Sequence, residues 1–178
     1  MAKIIQPEML QGKHVNLREV TLDDAAFILE LRTNDKKSRF LHKTENNLQK
    51  QIDYLTHYLT LDDEWYFIIE NKKHEPLGTI RIYDVHYPRF TGGSWIMKKG
   101  ATPQESFEGD LLLKRYAYEV LDFEESIFDV RKENVKVVRY HKICGAQIIN
   151  ETELDYIFRA DRDSYLKVKE KLFFMLGK

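Results

Sequence analysis

The chain has 178 residues, 43% hydrophobic and 32% charged, the balance of an ordinary soluble globular protein with one core. Its 28 Lys and Arg against 29 Asp and Glu leave a formal net charge of −1, which excludes the basic footprint of a nucleic-acid binder. Cys144 is the single cysteine, which excludes an internal disulfide and suits a cytoplasmic protein; no apolar run reaches the roughly 18 residues of a membrane helix, and the first residues lack a signal-peptide core.

In chain order, residues 14–20 alternate as a strand, and Thr21 can cap a helix with Asp23 and Asp24 in its first turn and Phe27, Ile28 and Leu31 on its apolar face. Residues 32–46 are polar and irregular and predict a mobile loop. Residues 47–61 carry Leu48, Ile52, Leu55, Tyr58 and Leu59 at helical spacing. Strands are expected at 65–70 and 77–85, joined by a turn at 71–76, and again at 93–98. Residues 111–121 place Leu113, Tyr116, Ala117 and Val120 on one helical stripe. A short apolar strand at 126–130 then leads into residues 134–145, where Asn134 suits a helix N-cap and Gly145 a helix end. Asn134, Val137, Val138 and His141 fall on one face of that helix, with Tyr140 about 100° away. An antiparallel pair at 147–150 and 154–159 and a helix over about 162–174 complete one domain spanning 1–178.

The order β-α-α-β-β-β-α-β-α-β-β, with the unit strand–Asn–helix–Gly–strand at 126–150, resembles the GNAT family of N-acetyltransferases over essentially the whole chain. The resemblance implies an α/β fold: a mixed central sheet, helices on both faces, and strands splayed to bind acyl-CoA. The parting strands are expected to be 93–98 and 126–130, where a pantetheine arm can pair with strand backbone. The resemblance also implies acetyl-CoA as cofactor, direct transfer to an amine, and backbone N–H groups of Ile96, Met97 and Lys98 along the cofactor and its oxyanion. It puts the pyrophosphate segment at 99–110, with Gln104, Ser106, Phe107, Glu108, Gly109 and Asp110 as cofactor residues beside Asn134, Val137 and His141. Here Ala101, Gln104 and Ser106 stand where the family carries an Arg or Gln and two glycines.

In the family a Tyr seven residues after the Asn faces the thioester sulfur, and in this chain that position is His141. An imidazole N–H or an imidazolium can assist a departing thiolate, so His141 and Asn134 are the expected catalytic residues. Trp95, Tyr83 and His86 are the expected acceptor contacts; His86, Asp84, Glu70 and Glu105 all remain open as the base. Lys98, Lys99, Arg131, Lys132, Lys136 and Arg139 flank the expected cleft, and the six histidines form no metal-ligand pair, so no metal is expected. The segments Pro103-Gln104-Glu105-Ser106 and Tyr116-Ala117-Tyr118 resemble those of enzymes that acetylate nucleotide-linked amino sugars, as in surface-polysaccharide biosynthesis. Acetylation of protein or peptide N-terminal amines, or a silent acyl-CoA-binding domain, stand as alternatives. A homodimer is compatible with the last strand and helix.

Overall fold

A computed structural model describes residues 3–34 and 44–177, so most of the loop expected at 32–46, and His42 with it, lies outside the described residues. The elements are β1 (Val15–Glu19), α1 (Ala25–Thr33), α2 (Leu48–Tyr58), β2 (Trp65–Asn71), β3 (Pro76–His86), β4 (Arg89–Met97), α3 (Pro103–Arg115), β5 (Glu125–Arg131), α4 (Val135–Ile143), β6 (Gln147–Glu151), β7 (Asp155–Asp161) and α5 (Arg162–Leu176). They build one mixed sheet of seven strands in the order β1-β2-β3-β4-β5-β7-β6. All neighbours are antiparallel except β4 and β5, which run parallel. The expected α/β class and mixed sheet are what the chain adopts.

Alternation along the strands sets the two layers of helices. Phe67 and Ile69 of β2 and Ile80 and Ile82 of β3 bury one face under α3 with Leu112, Leu113 and Tyr116. Tyr66 and Ile68 turn the other way and pack with Val20, Ile28, Leu55 and Tyr58 beneath α1 and α2. The run Trp65–Ile69 is buried on both faces, which explains why it reads as continuous apolar sequence rather than as an alternating strand. Thr21 opens the first helical segment as expected, with Asp24 Oδ2 accepting the Thr21 N–H at 2.8 Å.

One helix and one strand begin earlier than expected. The helix expected to begin at 111 starts at Pro103, because Thr102 accepts the Glu105 N–H at 3.1 Å while Glu105 accepts the Thr102 N–H at 2.9 Å. That reciprocal box, with Pro at the first helical position, is legible in Thr-Pro-Gln-Glu and pulls the start upstream. At the other end the helix widens into a π-helical turn over Tyr116–Val120. The strand expected at 93–98 begins earlier, at Arg89, and ends at Met97.

Candidate active site

The parallel pair β4 and β5 is joined only at its start. Arg89 pairs with Glu125 and Phe90 with Ser126, and Thr91 Oγ1 donates to the Ile127 carbonyl at 2.9 Å. Beyond that point the strands part, leaving a split at the C-terminal ends of the parallel pair, and the carboxyl ends of strands are where open sheets of this kind hold ligands. The split falls between the two segments expected to part. On its β4 side, Lys98 N–H donates to Leu77 O of β3 at 2.7 Å. Alternation then directs the Ile96 N–H to β3 as well and leaves the Met97 N–H facing the split. Of the three expected oxyanion donors, only Met97 turns its N–H toward the split.

A bulge in β4 decides which side chains line the split. The β3–β4 register slips between Thr79 and Arg81, opposite Ser94, whose φ is 50° and whose carbonyl accepts from Thr79 Oγ1 at 2.7 Å. The extra residue reverses the alternation, so Trp95 turns to the α3 and α4 side instead of the side Gly93 faces. There its ring lies 6.2 Å from Phe107, 5.5 Å from Tyr140 and 6.0 Å from His141.

Helix α4 presents the expected face inward. Val138 and His141 are buried and Val137 packs against Phe128, Val130 and Phe158 of the sheet. Asn134 precedes the helix, its carbonyl accepting the Val138 N–H at 3.0 Å while its side chain makes no capping bond. His141 is only 6% exposed, its ring 4.6 Å from Phe128 and 5.8 Å from Phe158. Its Nδ1 and the Nε1 of Trp95 are both buried without a hydrogen-bond partner. Each unpaired ring nitrogen costs about 1–3 kcal/mol, so this wall keeps hydrogen-bonding capacity that the chain itself does not use.

Burial among these rings, helped by Lys114 and opposed by Asp110, pushes His141 down to about 3. The imidazole is therefore uncharged near neutral pH and can offer a hydrogen bond but not an imidazolium proton. The unfolded chain binds a proton on this His below about 6.5 while the folded chain does not until about 3. The unfolded state thus holds more protons in that window, and stability falls as pH drops from 6.5 toward 3. Thermal melts between about pH 7 and pH 4 should show this decline, and His141→Phe should flatten it.

Beneath His141, Tyr140 Oη donates to Asp110 Oδ2 at 2.6 Å and Lys114 Nζ lies 2.7 Å from the same oxygen, all three side chains being buried. The Tyr140 ring stacks on Phe107 at 4.4 Å. These contacts tie α3 to α4 across the split and take Tyr140 out of contention as a group for the reacting sulfur. Cys144 sits beside them, its thiol pushed up by burial, a packed residue and not a nucleophile.

The remaining expected residues separate. At the α3 N-terminus Gln104 is exposed, Ser106 is half-buried, and Gly100 turns with φ at 95°. The N–H of Gln104 has no intrahelical acceptor because it lies in the first turn, and exposed Lys98 and Lys99 stand beside it. Phe107, Glu108, Gly109 and Asp110 point away from this end. Because α3 begins at Pro103, they belong to its later turns, where backbone N–H groups are already bonded. Glu108 is buried, with Oε1 taking the N–H groups of His14 and Val15 at 2.8 and 3.0 Å. Gly109 faces Ile69, which a Cβ would meet at 2.8 Å.

The three expected acceptor residues do not converge either. Trp95 is on the α3 and α4 side, Tyr83 on the opposite face, and His86 at the β3–β4 hairpin, paired with Arg89 at the closed end of the split. None of the expected bases reaches the opening. His86 and Asp84 bind each other at 3.1 Å on the hairpin, Glu70 is held by Arg18 at 3.1 Å and His74 at 3.0 Å, and Glu105 is the cap partner of Thr102. Arg131 and Lys132 are paired with Asp155 and Glu151 at 2.8 and 2.5 Å, whereas Lys136 and Arg139 are exposed on α4. One residue outside the sequence-based expectations is Asp129, exposed on β5 just past the point where the strands part. An acidic residue inside the apolar run 127–130 is the signal that could have found it. Among the described residues no helix is long and apolar enough to cross a membrane.

Comparison with known proteins agrees with this geometry. Residues 14–147 match the acetyltransferase (GNAT) domain family. Among solved structures, FdhC in its apo form, described as a nucleotide-linked sugar GNAT, is 33% identical, with 91% of this chain and 94% of that chain covered and a TM-score of 0.82. A protein from T. thermophilus, described as a putative acetyltransferase, is 21% identical over 92% of this chain and 94% of that one, with a TM-score of 0.73. A spermidine N-acetyltransferase from Vibrio cholerae, in complex with CoA and spermine, is 18% identical over 85% and 98% respectively, at a TM-score of 0.71. No curated protein matches the chain. The chain belongs to the GNAT family; it is an acetyltransferase, and its acetyl donor is acetyl-CoA.

Proposed function

We propose that this GNAT acetyltransferase acetylates the amino group of a sugar carried on a nucleotide. The observation that carries the reading is the 33% identity, over 91% of the chain, to a nucleotide-linked sugar GNAT. The spermidine enzymes, at 18% identity or below, share the fold and carry no substrate argument. Bound acetyl-CoA supplies an acetyl group activated as a thioester.

The chain's own residues divide the remaining work. The exposed α3 N-terminus, with the N–H of Gln104, the Ser106 side chain and Lys98 and Lys99, attracts phosphate by its dipole and charge. Asn134 and Val137 flank the split from α4. The Met97 N–H holds the carbonyl oxygen in place and stabilises negative charge as it grows there. His141 would donate a hydrogen bond from its imidazole N–H to the sulfur as the thiolate leaves. With its pKa pushed down to about 3 it cannot serve as a proton reservoir, so the thiolate's proton comes from solvent.

Release of free thiol from acetyl-CoA should be fastest with a nucleoside-diphosphate amino sugar and slow with spermidine or a peptide bearing a free N-terminus. A preference for either of those amines would overturn the acceptor assignment. Binding of acetyl-CoA, seen as a raised Tm, without thiol release for any amine would instead identify a silent acyl-CoA-binding domain.

A further inference from the structure

The two faces of the split are chemically different. Phe128 packs on the His141 ring at 4.6 Å, so strand alternation places its neighbour Asp129 on the other face. Arg89 pairs with Glu125 and Thr91 reaches Ile127, so counting two residues further along each strand makes Gly93 and Asp129 corresponding positions on the parting strands. Tyr83 lies over Gly93 on that face: a Cβ at position 93 would stand 2.9 Å from both Tyr83 Cε1 and Tyr83 Oη. The bare glycine therefore lets the Tyr83 side chain cross β4 toward β5. Its ring is covered by the Arg81 guanidinium at 4.1 Å, which is itself held by Glu64 at 3.5 Å. The Nε of Arg81 is buried without a hydrogen-bond partner. The charge of Asp129 is felt at the phenol: after burial and Arg81, it is the next influence on the Tyr83 ionisation, and it raises the pKa.

We propose that Tyr83 Oη and the Asp129 carboxylate form the subsite for the acceptor's amine, on the face of the split opposite His141. This rests on the reading of the chain as an amine acetyltransferase, and it adds the group that receives the amine's protons. Asp129 is exposed, so it both attracts an ammonium and exchanges protons with water. The nitrogen–carbon bond forms from this face while the carbon–sulfur bond breaks toward His141. An ammonium acceptor gives up one proton before the bond forms and one after; the carboxylate passes both to solvent. The departing thiolate takes one back, so one proton is released per turnover. The Tyr83 hydroxyl orients the nitrogen, and Arg81 holds the ring over Gly93.

The test is steady-state kinetics on Asp129→Asn, Asp129→Glu and Gly93→Ala, with an amino-sugar nucleotide and with spermidine as acceptors. Asp129→Asn should lower acceptor kcat/KM by about tenfold or more, the effect of losing one charged hydrogen-bond partner, while the acetyl-CoA KM stays within about twofold. Asp129→Glu should restore part of the loss, and Gly93→Ala, which displaces Tyr83, should repeat it. Unchanged acceptor kcat/KM in Asp129→Asn would overturn the proposal. A wild-type preference for spermidine would overturn the sugar reading alone, because Asp129→Asn then tests the same subsite with that amine.

Discussion

Asp110→Ala should remove about 3–5 kcal/mol of folding stability, the cost of breaking a buried ion pair from one side. Asp110 and Lys114 are one helical turn apart on α3, 2.7 Å from each other, with side chains only 7% and 11% exposed. Burial works against both charges. Lys114 and the Tyr140 hydroxyl nevertheless keep the Asp110 carboxyl below the usual range, and Asp110 keeps the Lys114 ammonium above its own. Removing the carboxylate leaves an ammonium buried without a counter-charge and strips the Tyr140 hydroxyl of its acceptor at 2.6 Å. Urea denaturation of the wild type, Asp110→Ala and the double variant Asp110→Leu/Lys114→Met separates the causes. The double variant should recover most of the loss, since an apolar pair of similar volume has no charge to desolvate. A loss below about 1 kcal/mol in Asp110→Ala would mean that Lys114 finds water once its partner is gone.

His141→Phe should lower kcat by about a hundredfold while leaving the acetyl-CoA KM nearly unchanged. Phe preserves the ring contacts with Trp95, Phe128 and Phe158, so the variant removes the N–H and little else. His141→Tyr, which restores a hydroxyl donor, should retain more activity than His141→Phe. Because burial holds the imidazole uncharged down to about 3, the wild-type pH–rate profile should show no step near 6.5 that disappears in His141→Phe. Such a step would show that the imidazolium carries the chemistry. Unchanged kcat would remove His141 from the mechanism.

Particular residues show where the sequence is legible. The inward face of α4 can be read because four positions at i, i+3, i+4 and i+7 are sequence-local, and a helix converts that spacing into one surface. That β4 and β5 run parallel follows from the order of elements, since the helix between them makes a crossover and not a hairpin, whereas their parting is what the resemblance to the GNAT family implies. The capping box at Thr102 is equally local, yet a helix start placed at 111 overlooks it and displaces Phe107, Glu108, Gly109 and Asp110 into an assumed loop. Trp95 is different: its face depends on a one-residue bulge at Ser94, and a slip of one residue in a strand reverses every side chain beyond it.

The order of elements and the helix that follows Asn134 and carries His141 are written in local sequence, while the layering of helices on both faces is expected from the family resemblance. Periodicity and capping act over a few residues, and a few residues are enough to read them. The protonation of His141 is a property of the folded chain, because its ring is enclosed by Trp95, Phe128 and Phe158 from three different strands. The face of the sheet that Asp129, Tyr83 and Gly93 share is another. Those three residues belong to three strands, and the register that aligns them is set by pairing between strands rather than by any one segment of chain.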